Sequence, residues 1–300
     1  MAADGGSDGP VPLVSVIVPA RNASAKVPRF LDAIERQTVP TSDYELLIVD
    51  DGSSDQTAKI VREGGQATLL SLSSHGGAYV ARNRGIDAAR AKILAFTDAD
   101  CIPAEDWLER GIAALENGDA DLIAGQIDVP LGERPSAAQL VDFSSWYDQA
   151  DFASRGVAAT GNLWIRREVL SRIGGFDETL MSGGDMDLTE RAVGRGYKLE
   201  YAGDVVVTHL PEGSWHVLKK SYREGNEAAR RGRSHLRKWL RGGDPDWRTA
   251  RGGRLAAHGY SPRPSKRLSM FLVKNFLIRL PMLAGNLTGL AARLRDRRAA

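Results

Sequence analysis

Residues 92–100 read Lys92-Ile-Leu-Ala-Phe-Thr-Asp98-Ala-Asp100, and this run decides how the chain is understood. Ile93, Leu94, Ala95 and Phe96 form an unbroken apolar segment, the pattern of a strand buried on both faces. It stops at two carboxylates one residue apart. Held about 4 Å apart, two ionised Asp groups repel by roughly 4 kcal/mol at an effective dielectric of about 20, and by about 1 kcal/mol in water. A divalent cation reverses that term, and oxygen-only ligands suit Mg2+ or Mn2+. In an open α/β sheet, ligands bind beyond the carboxyl ends of the strands, where these acids fall. Taken alone, Asp-x-Asp fits a polar turn after a core strand equally well, so the flanking chain has to separate the two readings.

Upstream, residues 14–18 form a β-branched run closed by Pro19, and residues 44–49 form a second strand ending at Asp50-Asp51-Gly52-Ser53. A third strand is expected at 67–72. Between them lie helical patterns: 25–37 with Val27, Phe30, Leu31 and Ile34, a helix capped by Asp55, and 76–90 with Arg82 and Asn83. This alternation predicts an α/β fold, a mostly parallel sheet with helices on both faces. Three strand ends then meet at one edge: Pro19-Ala20-Arg21-Asn22, Asp50-Asp51 and Asp98/Asp100. Neither Gly-x-Gly-x-x-Gly nor a Walker loop follows the first strand, which argues against hydride transfer and P-loop chemistry. Downstream, helices are expected at 107–115, 137–154 (with Trp146 and Tyr147), 167–173 and 186–195. Strands are expected at 121–125 and 160–166, with a short pair at 199–202 and 205–208 closing at His209.

The charge is lopsided. Residues 1–213 hold 19 Lys/Arg against 33 Asp/Glu, a net of −14, whereas 214–300 hold 21 against 5, a net of +16. An acidic body with a basic tail points to an anionic partner for the tail, membrane surface or nucleic acid. The single cysteine, Cys101, precludes an intrachain disulfide and fits a reducing, cytoplasmic compartment; it reads as a small buried residue. Residues 1–12 are Gly/Asp-rich and read as a disordered tail without an export leader. A globular domain is expected over 13–213 and a basic helical extension over 214–300. In that extension, 215–240 reads as an Arg-rich helix interrupted at Gly225 and Gly232, and 242–264 as a linker. Residues 269–294 are apolar and flanked by Arg293, Arg295, Arg297 and Arg298, which fits an interfacial helix pair on the inner face of the cell membrane or a helix packed on the domain.

These pieces together resemble the family 2 inverting glycosyltransferases of the GT-A fold, over about residues 13–212. The resemblance rests on Val-Ser-Val-Ile-Val-Pro-Ala-Arg-Asn at 14–22, Val-Asp-Asp-Gly-Ser at 49–53 with Asp55 and Thr57, and Ala-Arg-Asn-Arg-Gly at 81–85. It continues through Thr-Asp-Ala-Asp at 97–100, Gly-Asn at 161–162, Gly-Gly-Phe-Asp-Glu at 174–178 and Gly-Gly-Asp-Met-Asp-Leu at 183–188. Each motif is weak, but in this order they are specific.

The resemblance implies a nucleotide-diphosphate sugar donor and a glycan or lipid-linked acceptor, as in cell-envelope glycan assembly. It implies that Pro19, Ala20, Asn22 and Asp51 hold base and ribose, and that Arg82, Asn83, Asp98 and Ala99 lie along the nucleotide. Asp100, Asp98 and His209 would hold Mn2+ or Mg2+, and Asp185 would be the catalytic base. The chemistry agrees: a sugar–diphosphate bond leaves negative charge that a cation stabilises, and the attacking hydroxyl needs a carboxylate to take its proton. Asp185 opens a predicted helix, where a dipole favours the ionised form, and a helix cap is its bland alternative. Asp187 reads as structural. Trp146, Tyr147 and Trp164 fit either sugar stacking or core packing.

Some positions depart from the family. Gly184 replaces the usual Glu before the base, and His75 stands where Asn is frequent. The Gln-x-x-Arg-Trp motif and channel helices of processive synthases are missing, so single-sugar transfer is expected. Two other readings compete. A sugar-phosphate nucleotidyltransferase would want a Gly-rich, Arg-containing first loop, which Pro19-Ala-Arg-Asn is not. A non-catalytic nucleotide-sugar or nucleic-acid binder is permitted by the tail charge, but aromatic–basic interleaving is sparse, so no nucleic acid is expected.

Overall fold

The computed structural model describes residues 10–130, 135–136, 139–140, 147–210, 214–230 and 280–299. The four N-terminal apolar runs become β1 (Val14–Ala20), β2 (Tyr44–Asp50), β3 (Thr68–Ser71) and β4 (Ile93–Thr97). They are joined by α1 (Val27–Glu35), α2 (Thr57–Gly64) and α3 (Ala78–Ala88). Then follow β5 (Cys101–Pro103), α4 (Trp107–Glu116), β6 (Leu122–Asp128), α5 (Gln149–Ser154), β7 (Asn162–Arg166), α6 (Arg167–Ile173) and α7 (Gly184–Val193). The order closes with β8 (Leu199–His209), α8 (Ser214–Arg230) and α9 (Leu280–Ala299).

The eight strands form one sheet in the order β3-β2-β1-β4-β7-β6-β8-β5. The β2–β3, β1–β2 and β1–β4 pairs are parallel, as the strand–helix alternation requires, and β7 then runs antiparallel to both β4 and β6. Every residue of β4 is buried, matching its uninterrupted apolar run. Helix α1 starts with Pro28 in its first turn, where no N–H is needed, and buries Val27, Phe30, Leu31 and Ile34. Helix α3 lies tight on β1: a Cβ on Gly85 would stand 2.4 Å from Ile17 Cγ2.

Behind the acidic edge, one buried amide ties the sheet together. Asn162 donates through Nδ2 to the Gln126 and Val205 carbonyls, and its Oδ1 accepts the indole N–H groups of Trp107 and Trp164. Trp164 is fully buried, its ring centroid 4.8 Å from that of Trp107, so it is core and has no face to offer a sugar. Trp146 lies outside the described residues.

Several boundaries differ from expectation. The helix expected over 137–154 does not include Tyr147 and Asp148, and α5 begins at Gln149. Residues 199–209 form one strand, not two: Gly203-Asp204 looks like a turn, but Gly203 does not take the left-handed backbone a tight turn would use. Helix α8 runs through Gly225 unbroken to Arg230; the expected break at Gly232 and the linker lie outside the described residues. The three-residue β5 is too short to leave a periodic signal.

The chain divides into two compact units, the first comprising Met1–Ile127, Gln149–Asp177 and Asp185–Thr208, the second Asp128–Asp148, Glu178–Gly184 and His209–Ala300. In the second, α8 and α9 pack through small residues. A Cβ on Gly285 would lie 2.1 Å from the Tyr222 carbonyl oxygen, and one on Gly289 2.2 Å from that of Asn226. Asn226 Nδ2 donates to Thr288 Oγ1 (2.8 Å), which also lies 3.1 Å from the Tyr222 hydroxyl.

Gly111 offers a test of the core. A Cβ there would stand 2.2 Å from Trp164 Cζ2, inside a ring that cannot step aside. Gly111→Ala is expected to lower stability by about 1–3 kcal/mol, despite alanine's better helix propensity, as read from the urea midpoint.

Candidate active site

Because β1 pairs in parallel with both β2 and β4, the carboxyl ends of the three strands stand side by side. Pro19 and Ala20 end β1 opposite Val49 and Asp50 of β2. Asn22 takes a left-handed backbone (φ 48°), which asparagine tolerates better than most residues. It also laces the loops together: its N–H donates to Ser53 Oγ (2.9 Å), and its Oδ1 accepts the Ser54 N–H (2.9 Å). The Ala23 N–H donates to Thr57 Oγ1 at 2.7 Å, and the Thr57 hydroxyl donates to Asp55 at 2.5 Å. Desolvation pushes the Asp55 carboxyl up, but hydrogen bonds from Thr57 and Ser24 outweigh it and hold the group well below the usual carboxylate range.

Asp51 is buried and engaged by the chain itself. Its Oδ1 accepts the Gly76 N–H at 2.7 Å; its Oδ2 accepts the Gly77 N–H at 3.0 Å and lies 2.7 Å from His75 Nδ1. Asp51 thus caps the entrance to α3, whose own N-cap position, Gly77, has no side chain to do so.

Helix α3 carries Arg82 and Asn83 toward the same edge. Arg82 is buried; one guanidinium nitrogen donates to Asp98 Oδ1 at 2.6 Å, while Nε is buried without a hydrogen-bond partner. Its Cζ stands 5.9 Å from the Tyr79 ring centroid and 5.7 Å from that of Phe176, so aromatic faces share in holding the charge. Asn83 pairs both ways with the Phe176 backbone, at 2.9 Å and 2.8 Å. This explains the bare Gly175: a Cβ there would lie 2.4 Å from Asn83 Oδ1.

After β4 the chain turns through Asp98, buried Ala99 and Asp100, with the Cys101 N–H donating to the Asp98 carbonyl at 2.9 Å. The two acids are not left to repel. Arg82 holds Asp98, and Lys26 Nζ lies 2.9 Å from Asp100 Oδ2. Lys26 was not picked out from sequence: it lies seventy-four positions from its partner, before the first turn of α1, and no local pattern marks it. Burial, then the Asp100 and Asp98 charges, raise the Cys101 thiol well above its ordinary value, so it stays protonated and inert, as a packing residue should.

Asp185 lies in the first turn of α7, half-buried, its Oδ1 accepting the Met186 N–H at 3.0 Å. Asp187 receives Arg191 Nε at 2.9 Å, and the same guanidinium donates to the Ile173 and Gly175 carbonyls, which ties α7 to the end of α6. In the second unit, His209 is buried, its ring 4.6 Å from that of Tyr147 and its Nε2 3.4 Å from the Tyr147 hydroxyl. Tyr147 is itself buried, with Lys220 Nζ 4.8 Å from its ring centroid.

A parallel β3-β2-β1-β4 sheet continued by antiparallel β7 is the GT-A fold. The chain belongs to glycosyl transferase family 2, whose model matches residues 15–174. It is 38% identical over 220 residues to glycosyltransferase AglE of Haloferax volcanii, covering 72% of each chain. It is 26% identical over 209 residues to the pre-mycofactocin glycosyltransferase of Mycobacterium tuberculosis, spanning 65% of this chain and 42% of that protein. Among solved structures, mannosyltransferase PcManGT from Pyrobaculum calidifontis, in complex with GDP-Man and Mn2+, superposes with a TM-score of 0.61 at 21% identity, over 96% of this chain and 88% of that one. TarS of S. aureus in complex with UDP-GlcNAc gives 0.57 at 16% identity, over 95% and 92%.

Asp55 makes a pH prediction. Its folded value lies below the unfolded value of about 3.9, so its stabilisation is complete above that pH and is lost as pH falls through the folded value. The difference in Tm between wild type and Asp55→Asn should be largest near neutrality and shrink in acid, read from circular-dichroism melts across the pH range.

Proposed function

We propose that this glycosyltransferase moves one sugar, with inversion, from a nucleotide-diphosphate sugar to an acceptor hydroxyl, with Asp185 as general base. The observation that carries this is the gathering of Asp51, the Arg82–Asp98 pair and Asp100 at the ends of adjacent strands, on a fold whose solved relatives hold GDP-Man or UDP-GlcNAc. Pro19, Ala20, Asn22, Asp51, Arg82, Asn83, Asp98 and Ala99 form the nucleotide side in this reading. Asn22, Asp51 and Asn83 act by shaping loops, since their polar atoms already serve the chain.

The donor set at Asp100 fits a hard divalent cation. Its carboxylate oxygens are hard donors, and its neutralising partner, Lys26, is a half-buried ammonium on a flexible stem. Asp100 and Asp98 would hold Mn2+ or Mg2+, with His209 as the further ligand that the family resemblance implies. The cation would supply Lewis-acid stabilisation to the leaving diphosphate. Arg82 adds a fixed positive charge at the same edge. Asp185 is oriented by the Met186 N–H at the start of α7 and takes the acceptor's proton. The acceptor is a glycan or a lipid-linked acceptor. The enzyme works in the cytoplasm, attached peripherally to the inner face of the cell membrane through the basic extension 214–300. Among the described residues, no helix is long and apolar enough to cross a membrane.

A thermal-shift screen of nucleotide sugars with and without Mn2+ tests the donor reading: one sugar nucleotide should raise Tm in a metal-dependent way, and none doing so would overturn it. Asp185→Asn should keep that shift but lose transfer by about 10²–10⁴-fold; near-normal transfer would remove Asp185 as base. Lys26→Gln should tighten Mn2+ binding without donor by roughly two- to fivefold in calorimetry, because the ion no longer competes with an ammonium. Weaker or unchanged binding would mean that the two cations do not share Asp100.

A further inference from the structure

Helix α9 is built inside out. Its inward side is small and polar, with Gly285, Thr288 and Gly289 against Tyr222 and Asn226 of α8. Its large side chains point away. Leu280 is 49% exposed, Leu287 53% and Leu290 39%, and on α8 Tyr222, which lines a groove with Leu280, is 37% exposed. Leu280, Leu283, Leu287 and Leu290 are spaced three, four and three apart, so they share one stripe along the helix. Between the two helices opens a groove of about 670 Å³, lined by Leu218, Tyr222, Leu280 and Pro281 with Lys219 and Arg223 among its walls.

A water-facing helix would not be ordered this way, and the charges indicate what covers it. No charged residue occurs from Leu280 to Ala292, and four arginines follow within six positions, at 293, 295, 297 and 298. Leucines at this spacing also suit a coiled-coil seam, but such a seam pairs opposite charges across its flanking positions; here those positions are Ala284, Asn286, Ala291 and Arg293, with no acid among them. An uncharged leucine face that ends in an arginine cluster matches acyl chains below and anionic headgroups above. The inward seam agrees: close Gly packing with Thr–Asn hydrogen bonds is how helices associate when solvent does not drive their apolar faces together.

We infer that the Leu280–Leu287–Leu290 face of α9, with Tyr222 of α8, is a membrane-docking surface that inserts into the headgroup region of an anionic bilayer, with α9 lying along it. This surface makes specific the peripheral attachment proposed for the enzyme, on which it rests.

The test uses the full chain and two kinds of vesicle, phosphatidylcholine alone and phosphatidylcholine with an equal part of phosphatidylglycerol. Wild type should sediment with the anionic vesicles and much less with the neutral ones. The triple variant Leu280→Ser, Leu287→Ser, Leu290→Ser should lose about tenfold or more of that partitioning while keeping its helical circular dichroism. Leu287→Trp, a milder change, should show blue-shifted emission on anionic vesicles and quenching by brominated lipid. Unchanged partitioning of the triple variant, or a Trp that stays in water, would overturn the inference. So would a wild-type dimer in sedimentation that the triple variant abolishes without any vesicle binding, since the face would then belong to a second copy. The thermal shift with sugar nucleotides should be the same in wild type and triple variant. Its absence from both, with vesicle binding intact, would sink the donor reading and leave the docking surface standing.

Discussion

Charge compensation at the sheet edge is the constraint on which the structure depends. Asp50 and Asp51 end β2 while Asp98 and Asp100 follow β4, with β1 between them. Strands about 4.8 Å apart put the two acidic groups about 10 Å from one another, close enough to repel through a partly dry medium. The chain answers with four different devices. Asp50 takes the Ser53 N–H, Asp51 takes the Gly76 and Gly77 amides and faces His75, Asp98 takes Arg82, and Asp100 takes Lys26. Backbone amides are permanent, and the buried Arg82 is nearly so. The Lys26 ammonium is the replaceable member of the set, and it sits on the acid that the metal-binding proposal needs most.

The same edge explains several residues that a motif alone leaves mute. Gly175 is bare because Asn83 needs its space, and Gly125 is bare because a Cβ would lie 2.3 Å from Asn162 Nδ2. Asn162 in turn carries two indoles and two strand carbonyls. The motif glycines and amides of the family are, in this chain, largely a scaffold for the strand-end loops, with the charged residues set on top of it.

Much of this was legible in the sequence. The four parallel strands announced themselves through apolar runs closed by Pro19, Asp50 and Asp98, and the family followed from motifs in a fixed order. What escaped notice was non-local or too short. Lys26 meets Asp100 only after folding, β5 has three residues, and Gly203 imitates a turn while staying in a strand. Trp164 shows the reverse error: an aromatic beside a sugar-family motif invites a stacking role, yet its indole N–H is committed to a buried amide. Periodicity reports which face is apolar but not whether that face meets protein or something else, which is why α9 looked amphipathic in the ordinary sense until its glycines were found on the inside.

The seam between α8 and α9 has one more consequence. With the backbones at Gly285 and Gly289 almost touching the carbonyls of Tyr222 and Asn226, the two helices have a single admissible alignment. A slip of one position would press Leu290 onto the Asn226 carbonyl, and a slip the other way would press Ala284 and Thr288 onto the two carbonyls. The pair therefore cannot slide in small increments; it either holds its registration or comes apart, and while it holds, the leucine row of α9 keeps a fixed bearing on Tyr222 of α8.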